Sequence, residues 1–202
     1  MPYDPDTDLM PAIVLDFDGT VRHARPGEEF INGPDDVRLY SGVMEKLNWY
    51  KSIGFLVLGL TNQGGVAWDY KSEEDVEREV ARMKEICEER GQDWPFHDWY
   101  ASYCMEGARN GRYSARSLGR KPMTGGLFLM ERRVWQIKKC RVDWSKSFLV
   151  GDQMTDYECA KRAEIGFMHA QVLKRSEKPP KARGEEALGM EGIVDPTDSD
   201  LS

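Results

Sequence analysis

Four apolar residues, Ala12 to Leu15, run straight into Asp16-Phe17-Asp18-Gly19-Thr20. A short unbroken apolar run of this kind fits a strand buried on both faces. It delivers two carboxylates, two positions apart, into a glycine turn. Alternating strand geometry would point Asp16 and Asp18 the same way if the strand continued. Carboxylates that close repel each other unless a cation or a proton holds them. The economical reading is a hard metal site at the carboxyl end of a buried strand, with one Asp free to attack phosphorus. A strand that merely ends in a polar turn would leave the same residues.

The rest of the chain alternates strand and helix, which argues for an α/β fold with a parallel sheet and helices on both faces. Ala12 to Asp16 reads as the first strand and Phe55 to Leu60 as the second. Gly42 to Ser52 reads as a helix with Val43, Leu47 and Tyr50 on one side. Ser72 to Arg90 is the clearest helix. Ser72 and Asp75 make a capping-box start, and Val76, Val80, Met83, Ile86 and Cys87 recur at helical spacing. Trp99 to Cys104 is a candidate third strand. Thr124 suits the N-cap of a helix to about Lys139, its apolar face formed by Leu127, Phe128, Val134 and Ile137. Ser147 to Val150, a helix from Thr155 to Glu164, and a last core strand from Phe167 to Leu173 complete the domain, residues 1–175. Residues 176–202 read as an exposed tail with a candidate edge strand near 193–194. The stretch between Thr20 and Gly42 is long for a strand-to-helix link. With Arg22, His23, Arg25, Glu28 and Asn32 it is either a specificity insertion or a solvated loop.

Three further motifs follow the first. Thr61-Asn62-Gln63-Gly64-Gly65 ends the second strand, Arg120-Lys121-Pro122 comes later, and Gly151-Asp152-Gln153-Met154-Thr155-Asp156 follows Phe148 to Val150. All sit where strands end or helices begin, around one crevice at the carboxyl edge of the sheet. In this order they resemble the haloacid dehalogenase (HAD) superfamily of aspartate-nucleophile phosphohydrolases over about residues 12 to 170. The order is similar to the small-cap branch, which holds heptose bisphosphate, histidinol-phosphate and polynucleotide 3'-phosphatases. The fold expected is Rossmann-like (HAD-like), with a minimal cap or none.

On this reading Asp16 is the nucleophile, and Asp18 is the acid for the leaving oxygen and then the base for water. Thr61 and the backbone after it hold the phosphoryl oxygens, and Lys121 faces the transition-state charge. Asn62, Gln63 and Arg120 are candidate substrate contacts, and the resemblance implies that Arg120 selects a second phosphate or a sugar. Asp16 and Asp152 would hold Mg2+. The resemblance adds Asp18, through its backbone carbonyl. Asp156 is either a carboxylate behind the metal that orients a water or Lys121, or a plain helix-start charge. Many small-cap relatives carry a zinc loop before the third motif. Here Cys104 is followed by Glu106, Ser117 and Gly119 where the other ligands would stand, so no structural zinc is expected. The loop from Glu106 to Gly119 must then be held by packing or be mobile, and its Arg109, Arg112 and Arg116 form a basic stripe.

Composition narrows the substrate. The net charge of −7 weighs against phosphate-backbone binding. A compact phosphorylated metabolite such as a sugar phosphate is the first expectation. A polynucleotide 3'-end, stacked on Trp94, Trp99 and Tyr100, is the alternative, and a non-catalytic phospholigand-binding member is the third. No membrane span or secretory signal is read, and the four cysteines show no paired spacing, so the expectation is a cytoplasmic enzyme. Oligomeric state is not legible.

Overall fold

A computed structural model describes residues 8–179. In chain order the elements are β1 (Leu9–Met10), β2 (Ala12–Leu15), β3 (Arg22–Ala24), β4 (Val37–Leu39), α1 (Val43–Ser52), β5 (Leu56–Asn62), α2 (Glu73–Glu89), β6 (Asp98–Ser102), α3 (Gly125–Lys138), β7 (Arg141–Val142), β8 (Phe148–Gly151), α4 (Met154–Arg162), β9 (Gly166–His169) and α5 (Ala170–Arg175). Five strands form a parallel sheet in the order β6-β5-β2-β8-β9. The order reverses at β2, so the crevice for a ligand opens beyond its carboxyl end.

Strand alternation divides the core between the two faces. Ile13, Leu15 and Val57 point to a cluster with Val43, Leu47 and Tyr50 of α1, Val80 and Met83 of α2, and Leu173 of α5. Ala12, Val14, Leu56, Leu58 and Leu60 point the other way, onto Leu127, Met130 and Val134 of α3 and Cys159 and Ala160 of α4. Every residue of β2 is buried, because helices cover the sheet on both sides. The expected architecture is therefore the observed one. The Ser72–Asp75 capping box is also present at the start of α2.

Three local expectations need correction. Thr124 stands at the N-cap of α3 without a side-chain cap bond; the Gly125 amide donates to the Leu118 carbonyl at 2.8 Å instead. Phe128 and Ile137 are exposed, and the buried stripe runs through Leu127, Met130 and Val134. Phe128 lies about 100° around the helix from Leu127, and Ile137 falls past the last buried position. The last strand stops at His169, where the ring accepts the Gln171 amide at 3.2 Å and opens α5. A short apolar run fits strand or helix equally well by periodicity.

The segment between Thr20 and Gly42 is a structured flap rather than a plain solvated loop. β3 and β4 pair antiparallel, Arg22 opposite Leu39. This hairpin is far smaller than an independent domain. The loop before the third motif is tied down by packing. The Met105 amide donates to Tyr113 at 2.9 Å, the Tyr113 hydroxyl donates to Glu73, and the Asn110 side chain donates to Asp69 at 2.7 Å. Arg112 lies over the Tyr113 ring and pairs with Glu73. No helix among the described residues is long and apolar enough to cross a membrane. Most of the expected tail, including its strand at 193–194, lies outside the described residues.

One packing contact bears directly on the loop of the first motif. Phe17, between the two motif carboxylates, is fully buried, and its ring fills the space over Gly59 of β5. A Cβ at Gly59 would strike that ring and lie 2.9 Å from the Trp99 Cβ. Gly59→Ala should therefore cost about 1–3 kcal/mol by overpacking, read as a lower urea midpoint with an unchanged slope. An unchanged midpoint would mean that Phe17 can shift freely.

Candidate active site

Parallel pairing brings the ends of β2, β5 and β8 to one edge. The Asp16 amide donates to the Val150 carbonyl at 2.9 Å, which locks the first motif beside the fourth. Gly19 has φ +81°, and a side chain there would collide with the Asp152 carboxylate. A residue without Cβ is required on both counts.

Lys121 lies at the centre of the edge. Its ammonium is buried and donates to Asp16 Oδ1 at 2.6 Å and to the Leu60 carbonyl at 2.7 Å. It also stands 2.6 Å from Asp156 Oδ1. Burial works against its charge, but Asp16 and Asp156 outweigh that and hold its pKa above the ordinary lysine value. Asp16 shows the opposite balance. Burial pushes its carboxyl up, Lys121 pulls it down, and Asp156 and Asp18 push it up again, so the net shift is upward. Asp152 is also shifted upward, chiefly by burial.

One carboxylate oxygen each from Asp16, Asp152 and Asp156 lies within 4.8 Å of the others. Their commitments differ. Asp156 holds Lys121 with Oδ1 and the Gln153 amide with Oδ2 at 3.0 Å. Asp152 Oδ1 is buried and has no hydrogen-bond partner among the described residues. This is a hard-oxygen donor set with a buried oxygen uncommitted, which fits a small divalent cation. Asp156 closes a capping box at the start of α4 and also pairs with Lys121.

Asp18 faces away from that cluster. Its Oδ1 accepts Arg22 Nε at 2.8 Å, and its Oδ2 accepts Gln63 Nε2 at 2.5 Å. Burial would raise its pKa, yet the charge and hydrogen bonds of Arg22 and the bond from Gln63 prevail and hold it below the usual carboxylate value. The Asp18 side chain is therefore not among the clustered carboxylates, and only its backbone is left for the metal role expected of it.

The remaining expected site residues fall into two groups. Thr61 is buried, and its hydroxyl accepts Gln63 Nε2 at 2.9 Å. Gln63 thus bridges Thr61 to Asp18 rather than facing outward as a substrate contact. Asn62 exchanges two bonds of 3.0 Å with the Lys121 backbone, its Nδ2 donating to the carbonyl and its Oδ1 accepting the amide. That clamp fixes the third motif on the second and leaves Asn62 a positioning role where substrate contact was expected. Arg120 is half-buried beside Gly64, with its Nη1 buried and unpartnered among the described residues.

One residue at the rim went unnoticed in the sequence. Lys174 of α5 donates to the Gly19 carbonyl at 2.7 Å and lies 4.2 Å over the Tyr40 ring. It stands beyond the last motif, where no spacing rule points. The aromatics weighed as stacking platforms are committed elsewhere. Trp94 and Trp99 pack against one core cluster and Tyr100 against the other.

Comparison with known proteins bears on the family and the fold. The family model described as Polynucleotide kinase 3 phosphatase matches residues 11–172. The D-glycero-beta-D-manno-heptose-1,7-bisphosphate 7-phosphatase of Pasteurella multocida is 30% identical, covering 91% of this chain and 93% of that protein. The enzyme of the same name from Photorhabdus laumondii is 29% identical over 91% of this chain and 90% of its own length. Among solved structures, the D,D-heptose 1.7-bisphosphate phosphatase from B. bronchiseptica, complexed with magnesium and phosphate, superposes with a TM-score of 0.61. It is 21% identical, with 85% of this chain and 89% of that chain covered, and is a likeness of fold.

The upward shift of Asp16 has a measurable consequence. Below its raised pKa a cation must displace a proton; above it, none is in the way. Mg2+ affinity should rise by about tenfold or more between pH 6 and pH 8. Calorimetry in buffers of different ionisation enthalpy should show proton release at the lower pH. Equal affinities with no proton released would mean that Asp16 is already ionised at pH 6.

Proposed function

The chain belongs to the Polynucleotide kinase 3 phosphatase family, in the HAD superfamily branch shared with the heptose bisphosphate phosphatases, and on that premise we propose that it is a magnesium-dependent phosphomonoesterase acting on a small phosphorylated sugar through an aspartyl-phosphate. The carrying observation is the convergence of Asp16, Lys121, Asp152 and Asp156 on one buried edge, with Asp18 held separately beside them.

In the first step an Asp16 oxygen bonds to phosphorus as the bond to the ester oxygen breaks. That oxygen leaves with the bonding pair and takes the proton of the Asp18 carboxyl. In the second step Asp18 takes a proton from water, whose oxygen bonds to phosphorus and breaks the link to Asp16. Inorganic phosphate departs and Asp16 is restored. The two carboxylates have different surroundings suited to these roles. In the structure Asp18 is held as the anion, which is the form that accepts a proton from water. Arrival of a phosphate dianion sets a like charge nearby and works against Arg22, favouring the protonated form. Lys121 orients Asp16 and offsets part of the cost of its buried charge. Mg2+ held by Asp16 and Asp152, with Asp156 behind them, would offset the repulsion between an anionic nucleophile and an anionic substrate.

For the substrate, the curated relatives bear the name of a sugar bisphosphate phosphatase over nearly their whole length. Arg120, half-buried with its Nη1 unpartnered among the described residues, is the cation we assign to a second phosphate or a sugar hydroxyl. The net charge of −7 weighs against a polynucleotide end, despite the family's description, and the half-buried Trp94, Trp99 and Tyr100 pack one side against the core clusters. The hairpin flap leaves the crevice without a large cap.

Asp16→Asn should lower turnover by at least about 10³-fold with the fold intact, and EDTA should stop wild-type turnover until Mg2+ is returned. A heptose or hexose bisphosphate should be cleaved with higher kcat/KM than a 3'-phosphorylated oligonucleotide in the same buffer. Preference for the oligonucleotide, strongly weakened by salt, would reverse the substrate assignment.

A further inference from the structure

Behind Asp18 lies a chain of charges that the four motifs do not include. Arg22 is fully buried, as is Glu79 on α2. Arg22 holds Asp18 through Nε at 2.8 Å and Nη2 at 3.4 Å, and its Nη2 also donates to Glu79 Oε2 at 3.1 Å. Its Nη1 points at the Met83 sulfur, 3.8 Å away, and its guanidinium lies 5.7 Å from the Phe17 ring centroid. The other oxygen of Glu79 accepts Lys71 Nζ at 2.8 Å, and Lys71 donates onward to the Ile31 carbonyl at 3.0 Å. The chain thus joins the first motif, the loop after the second motif and the hairpin flap to one helix.

Buried ion networks contribute little to stability compared with apolar residues of similar volume. Two features give this one a different significance. Every charge in it is paired, and it ends on a carboxylate of the crevice, where Arg22 and Gln63 fix both oxygens. We propose that Arg22 and Glu79 are positioning residues for proton transfer by Asp18: Glu79 locks the guanidinium, and the guanidinium locks the carboxylate. Neither makes a hydrogen bond or ion pair with Asp16 or the other clustered carboxylates, so their loss acts chiefly on the proton-transfer half of the chemistry. The inference rests on the phosphatase reading above and deepens it.

Leaving-group dependence separates this role from a structural one. An alkoxide needs a proton as its bond to phosphorus breaks; p-nitrophenolate does not. In the full chain, Arg22→Met should lower kcat/KM, which reports the leaving-group step and not the later hydrolysis common to all substrates, by roughly 10²-fold on an alkyl phosphate such as glycerol phosphate. KM should change little, and the loss on p-nitrophenyl phosphate should be about tenfold smaller. Arg22→Lys keeps the charge without the fork and should recover part of the alkyl-phosphate loss. Glu79→Gln should show the same selective pattern more weakly. Circular dichroism and melting report the fold; if Arg22→Met does not fold, Arg22→Lys and Glu79→Gln decide. Equal losses on both substrates in folded variants, or no loss, would overturn the positioning role. A wild-type protein inactive on both substrates and on heptose and hexose bisphosphates would overturn the phosphatase reading itself, which is a distinguishable result.

Discussion

The buried ammonium of Lys121 makes the rest of the site feasible. Three carboxylates, Asp16, Asp152 and Asp156, crowd within a few ångströms at the end of the sheet. Like charges so close cannot all stay ionised in a low-dielectric setting without compensation. Lys121 supplies one unit of it, touching Asp16, Asp156 and the Leu60 carbonyl of β5. A divalent cation would supply the remainder. The Asn62 clamp matters for the same reason, since it fixes the Lys121 backbone directly.

The site is asymmetric around that cation. Asp16 belongs to the crowded, metal-facing side, where burial and neighbouring carboxylates raise its pKa. Asp18, two residues on, faces Arg22 and Gln63, which lower its pKa. Two carboxylates from one short motif therefore have different environments, the usual way in which one site supports both nucleophilic and proton-transfer chemistry. The left-handed turn at Gly19 and the buried ring of Phe17 hold them apart.

Much of this was legible from the order of residues. Ala12 to Leu15, Phe55 to Leu60 and Phe148 to Val150 are apolar runs that, alternating with helices, fit a doubly covered sheet, and the motifs follow each of them. Local signals failed where two structures compete for the same pattern. Phe167 to Leu173 reads as one strand, and the turn at His169 divides it into a strand and a helix. Thr124 has the chemistry of an N-cap, but the Leu118 carbonyl meets the helix start first. The division of labour among Asn62, Gln63 and Arg120 was also hidden, because it depends on partners about 59 residues away in the case of Asn62 and Lys121.

The sequence by itself determined that acidic, hydroxyl and basic groups end buried parallel strands, and hence that they meet at one edge, because strand direction and burial are local and periodic properties. Tertiary structure alone decided which carboxylate faces the cation and which faces Arg22. It also brought Glu79 and Lys174 to the site from positions with no motif. Those outcomes depend on close approach between segments far apart in the chain, and no local pattern of residues encodes that distance.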